Sequence, residues 1–538
     1  MAQLFKPRRR QIAAGAPLPG IQHIVVVMFE NRSFDNVLGT LYPPSHKFHG
    51  LNPSASNSYR NVFDETLTVK ATNTPPSGNA LSITPFPDPG ESFDDMGEQI
   101  FGYPSGTTPA MSGFAQNYYD VNLLSEGANP GDTMCYFMPD QLPVTSALAS
   151  SYAVCDEWFA AGPVQTFPNR MLCHCATPST HTSLLGNLDA RVNDIDYIVR
   201  LADGIEAVAG AVTDTSIFEL LDGGSGPDPA NWKVYFHDVP LSVINSYVND
   251  AFNADSPCVA SYDGSDYDPP YGTSFLNDVV NDNLPSYSFI EPRYYDNYSG
   301  SGLPPNSNHP GGASFPFGGP PIDVVQGELF LLNLYATLAL TPEVFAKTLL
   351  IVTYDEHGGT YDHVGPNTAP FAASAPSPFT TMPSNFDYTS YGVRVPAFFI
   401  NPAIASGTVH RPPPHDRQPH YPFDHTSIIA TLRAQFGLAG PLTLRDASAP
   451  TLTGLIAAEA QPRQAEASKA ELARLRAWAK AAARSKQYAV SRPGPRKTPA
   501  EHNRLLVKRL RAKQTGCRRP TDAPVAEREL TLPCSSRP

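Results

Sequence analysis

Cysteine is scarce in this 538-residue chain: seven residues, an odd number, with no paired C-x-x-C spacing. A disulfide framework is therefore not expected. Long apolar runs are missing too, since nothing approaches the ~18–20 continuous apolar residues of a membrane span. No transmembrane segment is expected. Charge is low, 17% of residues, and positive charge is withheld from most of the chain. Residues 461–538 hold 19 Lys/Arg against 6 Asp/Glu, which leaves 19 against 45 for the first 460. An acidic body of that kind excludes nucleic acid as an expected partner, because neutralising phosphates requires a basic surface.

Proline and glycine are plentiful, 56 and 38 residues, which argues against a helical bundle and for irregular loops laid over a scaffold. With 41% hydrophobic residues the chain is too apolar for disorder, so a large folded core is expected. Three sections follow from composition: a basic lead-in over 1–20, a body over 21–458, and a basic, partly helical or disordered tail over 459–538, with a helical segment near Gln464 to Lys486. The tail is a solvated appendage or an attachment to an anionic membrane surface, nucleic acid or a protein partner. Arg8, Arg9 and Arg10 resemble the start of a twin-arginine export signal, yet no apolar stretch follows them. The expected location is cytoplasmic, or secreted with a signal not visible in this chain.

Ile21 to Phe29 is a Val/Ile run without alternation, the pattern of a parallel strand covered on both faces, and it ends in Glu30-Asn31. Thr348 to Tyr354 repeats that shape and runs into Asp355-Glu356-His357. Val395 to Ile400 is a third candidate strand, followed by Asn401. Helices are expected from about Asp323 to Leu340, with the aspartate as cap, and from Asp424 to Phe436, stopped by Gly437. Strands alternating with helices imply an α/β sandwich with a central, mostly parallel sheet, whose ligands bind outside the carboxyl ends of the strands. Asn52 to Asp88, Asp255 to Asn283 and Gly300 to Pro321 read as long loops over that edge.

Chemistry concentrates at the same edge. Glu30, Asn31, Asp355 and Glu356 would offer three carboxylates and an amide oxygen to one hard divalent cation. Without a cation, three converging carboxylates would repel one another. Read singly, each pair is an ordinary polar strand end. Thr166, in Thr-Phe-Pro-Asn-Arg, is expected just before a helix opened by Pro168, where free N–H groups favour an anion. Its hydroxyl is then a nucleophile with Arg170 and Asn169 holding phosphoryl oxygens, or simply a helix cap. His309, in a polar loop, is the preferred acid and His363 the second, among His174, His181, His357 and His425. Cys173-His174-Cys175 cannot close a tetrahedral metal site without distant partners.

The segments HIVVVMFENRSFDNVLG, LPVTSALASSYAVCDEWFAAGP, TFPNR, SFIEPRYYD, TYDEHGGTYDHVGP, GVRVPAFFINP and FDHTSIIATL stand in the order seen in bacterial phospholipases C, the related acid phosphatase and plant non-specific phospholipases C. The chain resembles that family from about Ile21 to Leu455. The resemblance implies an alkaline-phosphatase-like fold, metal ligation by Glu30, Asn31, Asp355 and Glu356, and a phospho-enzyme formed on Thr166. The metal is divalent (Mg, Ca, Mn or Zn), and the partner is a small phosphoester or a phospholipid. Two departures stand out. His309 matches the first histidine of a His-Pro-Ser-His-Asp segment whose second is missing, with Ile322 before Asp323 instead; Glu91 stands where relatives have a histidine facing phosphate. Sulfatases share the Cys/Ser-x-Pro-x-Arg frame, but a threonine cannot become their aldehyde. The expected activity is metal-dependent phosphoester hydrolysis of phospholipase C type; an acid phosphatase and a weakened phosphoester-binding protein are the alternatives.

Overall fold

The computed structural model describes residues 15–75, 85–102, 108–178, 209–238, 240–262, 274–294, 305–310, 324–367, 388–412 and 421–457. Eight strands form one sheet: β1 (His23–Phe29), β2 (Ala153–Cys155), β3 (Trp232–Phe236), β4 (Val259–Ser261), β5 (Tyr287–Glu291), β6 (Thr348–Tyr354), β7 (Ala397–Ile400) and β8 (Thr408–Val409). Their spatial order is β8-β2-β7-β6-β1-β5-β3-β4. Every pairing is parallel except those of β7, which runs against both β6 and β2. The expected α/β sheet, mostly parallel, is what the chain forms.

β1 and β6 are buried nearly end to end, which is why their sequences show no polar alternation. Four helices matter for the site: α1 (Phe93–Phe101), α2 (Thr166–Cys175), α3 (Val325–Ala339) and α4 (Thr426–Phe436). Gly437 ends α4 in the left-handed conformation at φ 65°, as its position in the sequence suggested. The expected cap of α3, Asp323, lies outside the described residues, as do Ile322, His181 and the tail.

Two expectations change, and the third expected strand runs opposite to the other two. Because β7 is antiparallel, Asn401 follows it at the opposite edge of the sheet, where its amide donates to the Phe345, Ala346 and Thr348 carbonyls beside the start of β6. The stretch after Asn52 is no plain loop, since Ser56–Arg60 and Thr66–Lys70 pair as an antiparallel hairpin. The stretch after Asp255 likewise contributes β4 and a helix, Phe275–Val280. None of the five described cysteines forms a disulfide, and all five are buried.

Candidate active site

The register of the sheet builds the site. β1 and β6 pair residue for residue from His23 with Thr348 to Phe29 with Tyr354, so Glu30 and Asp355 leave the sheet side by side. The Asp355 N–H donates to the Phe29 carbonyl at 3.2 Å, extending that pairing by one residue. Asn31 then turns into the left-handed region at φ 57°, which asparagine tolerates. Its N–H reaches Asp355 Oδ1 at 3.0 Å, and the Glu356 N–H reaches the same oxygen at 2.8 Å. The turn fits only because Gly358 sits at φ 55° with its α-carbon against Asn31: a Cβ there would lie 2.3 Å from the Asn31 carbonyl oxygen.

α2 supplies the other half. Its first helical residue is Thr166, with Pro168 two positions inside, so the helix opens earlier than the proline suggested. The Thr166 hydroxyl donates to Asn31 Oδ1 at 3.3 Å. One turn on, Arg170 donates from Nε and Nη2 to Asp355 Oδ2 at 3.2 and 3.1 Å and lies 5.2 Å over the Tyr294 ring. The amide nitrogen of Asn31 donates to Glu91 Oε1 at 2.7 Å and meets His309 Nε2 at 3.0 Å. Asn31 thus touches the threonine, Asp355, Glu91 and His309 at once.

Burial governs the electrostatics. It pushes the Glu30 carboxyl up to about 7, with Asp355 adding repulsion while His309 and Arg170 draw it down. Glu356 and Glu91 are pushed well above the usual range, first by burial and then by neighbouring carboxylates, Glu91 acting on Glu356 and Asp88 on Glu91. One oxygen of Glu356 accepts from the Gly358 N–H, whereas Oε1 is buried without a hydrogen-bond partner. Among the described residues, Glu30, Asp355 and Glu356 are not a group whose ligand atoms all lie within 4.8 Å of one another, but an oxygen-rich neighbourhood with an orphaned carboxylate oxygen suits a hard cation.

The sequence pattern of the Phosphoesterase family matches residues 21–439. The chain belongs to that family. The plant relatives include non-specific phospholipase C1 of Arabidopsis thaliana, 33% identical over 82% of this chain and 72% of its own, and non-specific phospholipase C3, 31% identical over 82% and 74%. Phospholipase C A of Mycobacterium tuberculosis is 28% identical over 79% of this chain and 75% of its own. Among solved structures, an alkaline phosphatase superfamily protein of Vibrio parahaemolyticus aligns over 57% of this chain and 64% of its own at 13% identity and a TM-score of 0.30. The resemblance in the motifs is thus matched by the family, and phosphoester hydrolysis is its chemistry.

Other candidate residues of this phosphoesterase lie outside the group around Asn31. Asn169 is fully buried and gives its amide N–H groups to the Gly162, Val164 and Gln165 carbonyls, so none remains for a phosphoryl oxygen. His363 belongs to a separate cluster: its Nδ1 lies 2.7 Å from Asp35 Oδ2, and Asp35 is shared with Arg394. Burial lowers its affinity for a proton, but the Asp35 contact outweighs burial and the net shift is upward. His425 places Nε2 2.6 Å from the Asp355 carbonyl oxygen and receives the Trp158 indole N–H at Nδ1, so it steadies the strand end. His357 meets Gln99, and burial holds it neutral at about 3. His174 packs against Phe218 and Phe289. Among the described residues, no group able to share an ion includes Cys173, His174 or Cys175.

Sequence reasoning passed over Asp88 and Arg32. Asp88 lies inside Pro-Asp-Pro-Gly, which reads as turn chemistry. Arg32 is buried and donates from Nε to the Asn308 carbonyl at 2.9 Å, anchoring the loop that carries His309. Its spacing two residues after Glu30 was the available signal. Among the described residues, no helix is long and apolar enough to cross a membrane.

Proposed function

We propose that this phosphoesterase cleaves a phosphodiester of phospholipase C type, on a small phosphoester or a phospholipid, through a covalent phosphoryl group on Thr166. The reading is carried by one observation, the Thr166 hydroxyl within 3.3 Å of an asparagine oxygen at the joint carboxyl ends of β1 and β6. Glu30, Asn31, Asp355 and Glu356 would hold a divalent cation, which when bound supplies positive charge to a phosphoryl group and to the attacking oxygen. Arg170 orients Asp355 and keeps Nη1 without a hydrogen-bond partner, a donor for a phosphoryl oxygen.

In the first step the Thr166 oxygen bonds phosphorus, the ester bond to the alcohol breaks, and the threonine proton passes to a cluster carboxylate. His309 Nε2, which accepts from the Asn31 amide at 3.0 Å, would take up a proton and turn from Asn31 to protonate the departing alkoxide. Water then attacks phosphorus and restores the hydroxyl. Thr166 is buried, 8% exposed.

Glu91 favours a diester. Burial holds the Glu91 carboxyl well above its ordinary range, so it repels only once ionised; two unit charges about 4 Å apart then repel by about 4 kcal/mol at an effective dielectric of about 20, and a monoester brings nearly twice the charge of a diester. The experiment compares bis(p-nitrophenyl) phosphate with p-nitrophenyl phosphate, with and without chelator, and traps the phosphorylated Thr166 peptide by acid quench and mass spectrometry. Thr166→Val should abolish turnover with the fold retained. Near-normal turnover in that variant would overturn the nucleophile. Metal and phosphoester binding without turnover in the wild type would establish a phosphoester-binding protein, and preference for the monoester would establish a phosphatase.

A further inference from the structure

We propose that an exposed apolar patch beside the site, made of Val62, Phe63, Val121, Leu123 and Leu124, seats this phosphoesterase on an electrically neutral phospholipid surface. Leu124 is 98% exposed, Phe63 80% and Val62 64%, while Val121 and Leu123 are 49% and 47% exposed. Single exposed apolar side chains are ordinary, but five gathered at one place mark an interaction surface. The proposal rests on the preceding reading for its substrate, a phosphodiester that a phospholipid presents at the surface of a bilayer.

Two elements carry the patch and end together. Val62 and Phe63 stand in the turn between Ser56–Arg60 and Thr66–Lys70, while Val121, Leu123 and Leu124 close the helix Phe114–Val121 and the residues after it. The Ala115 N–H donates to Asn57 Oδ1 at 3.2 Å, the Arg60 N–H to Gln116 Oε1 at 2.6 Å and the Val62 N–H to the Tyr119 hydroxyl at 3.0 Å. These contacts climb strand and helix in the same direction, so the turn and the helix end come out on one side. Asn61 fastens the turn, its side-chain oxygen accepting from the Phe63 and Glu65 N–H groups at 3.0 Å each. The patch also adjoins the site. Asn122, between Val121 and Leu123, is buried and donates to the Asp88 carbonyl at 3.0 Å, and Asp88 sets its carboxylate 4.0 Å from His309 Nδ1.

Charge and area choose the occupant. The exposed charged residues of the turn and the helix end are Arg60, Asp64, Glu65, Asp120 and Glu126, four negative against one positive, and Arg60 is already paired with Asp64 at 2.5 Å. Such a rim is repelled by an anionic membrane, whose attraction is for basic segments. A zwitterionic headgroup layer has no net charge, so burial of apolar side chains supplies the attraction. Phe63, Leu124 and their neighbours enter the boundary between headgroups and acyl chains, on the order of 5–10 Å deep, which holds the phosphate layer against the opening beside Asp88. A second copy of the chain fits less well. Five side chains expose roughly a few hundred Å², the size of a functional patch on a monomer, whereas a stable interface takes about 800 Å² from each partner.

The test sediments the full chain with sucrose-loaded vesicles of pure phosphatidylcholine, in chelator and at high salt, for wild type, the double variant Phe63→Ser/Leu124→Ser and the control Leu340→Ser. Circular dichroism confirms folding. Burying one apolar side chain of this size favours association about tenfold or more, so the double variant should lose at least about tenfold in vesicle affinity. Its turnover of soluble bis(p-nitrophenyl) phosphate should stay unchanged. Leu340, 70% exposed where the chain leaves α3 toward the start of β6, should be neutral in both assays. Equal binding by the double variant, an equal loss in Leu340→Ser, or binding that requires anionic lipid and is released by salt overturns the patch. A concentration-dependent dimer lost in the double variant, without vesicle binding, makes the patch a contact between copies and also overturns the proposal. Turnover of the soluble diester by a wild type that binds no neutral vesicle removes the patch and keeps the preceding reading. Vesicle binding that the double variant loses, in a chain that turns over no ester, keeps the patch and removes that reading.

Discussion

Three glycine-to-alanine substitutions separate the forces that hold the site. Gly97 lies within α1 with nothing within 4 Å of where an added methyl would stand, so Gly97→Ala should stabilise the fold by about 0.5–1 kcal/mol through lost freedom of the unfolded chain. Gly437 also faces open space but sits at φ 65°, so Gly437→Ala should cost about 1–2 kcal/mol from the left-handed conformation alone. Gly358 combines that conformation, at φ 55°, with a Cβ 2.3 Å from the Asn31 carbonyl oxygen and 2.7 Å from the Asn31 Cβ. Both are anchored atoms, and forcing them apart adds about 1–3 kcal/mol, for a total of about 2–5 kcal/mol. Urea unfolding midpoints, at constant slope, read the differences directly. The displaced residue is the one that touches Thr166, Asp355, Glu91 and His309, so Gly358→Ala should also lose divalent-ion affinity while the other two keep it. Equal midpoints for Gly358→Ala and Gly437→Ala, with ion affinity intact, would refute the claim that Asn31 is locked by this contact.

A pH dependence follows from the raised carboxyls. Glu30 rises from its ordinary 4.5 to about 7, so the folded chain keeps a proton that the unfolded chain has released; its stability contribution is full below about 4.5 and is lost as pH climbs through 7. The melting temperature in chelator should therefore fall between pH 5 and 8, and a divalent cation should flatten that slope. Glu157 and Glu328, raised to about 7 by burial outside the cluster, give a residual slope that the cation leaves unchanged, so identical slopes with and without the ion would sink the argument. Asn169→Ala should destabilise by about 1–3 kcal/mol by leaving three loop carbonyls short of donors, with the KM of surviving activity little changed; a large KM effect would return Asn169 to the substrate. Deleting residues after Gln461 should weaken binding to anionic liposomes at low salt and leave hydrolysis of soluble esters alone, and equal binding would dismiss a lipid role for the tail.

The sequence by itself determined the local matters in this phosphoesterase. Unbroken apolar runs marked β1 and β6 as covered on both faces, Gly437 marked the end of α4, and acidic residues closing each strand marked where chemistry gathers. These are legible because burial and backbone conformation act within a few residues of chain. Only the tertiary structure decided which distant segments meet. It set β1 beside β6 in register, so that Glu30 and Asp355 emerge together, and it reversed β7, sending Asn401 to the far edge. It turned Glu91 onto Asn31, gave His363 to Asp35 and spent the Asn169 amide on its own loop. No local pattern encodes those outcomes, because a buried polar group takes whichever partner the packing of the whole sheet and its helices brings within hydrogen-bond reach.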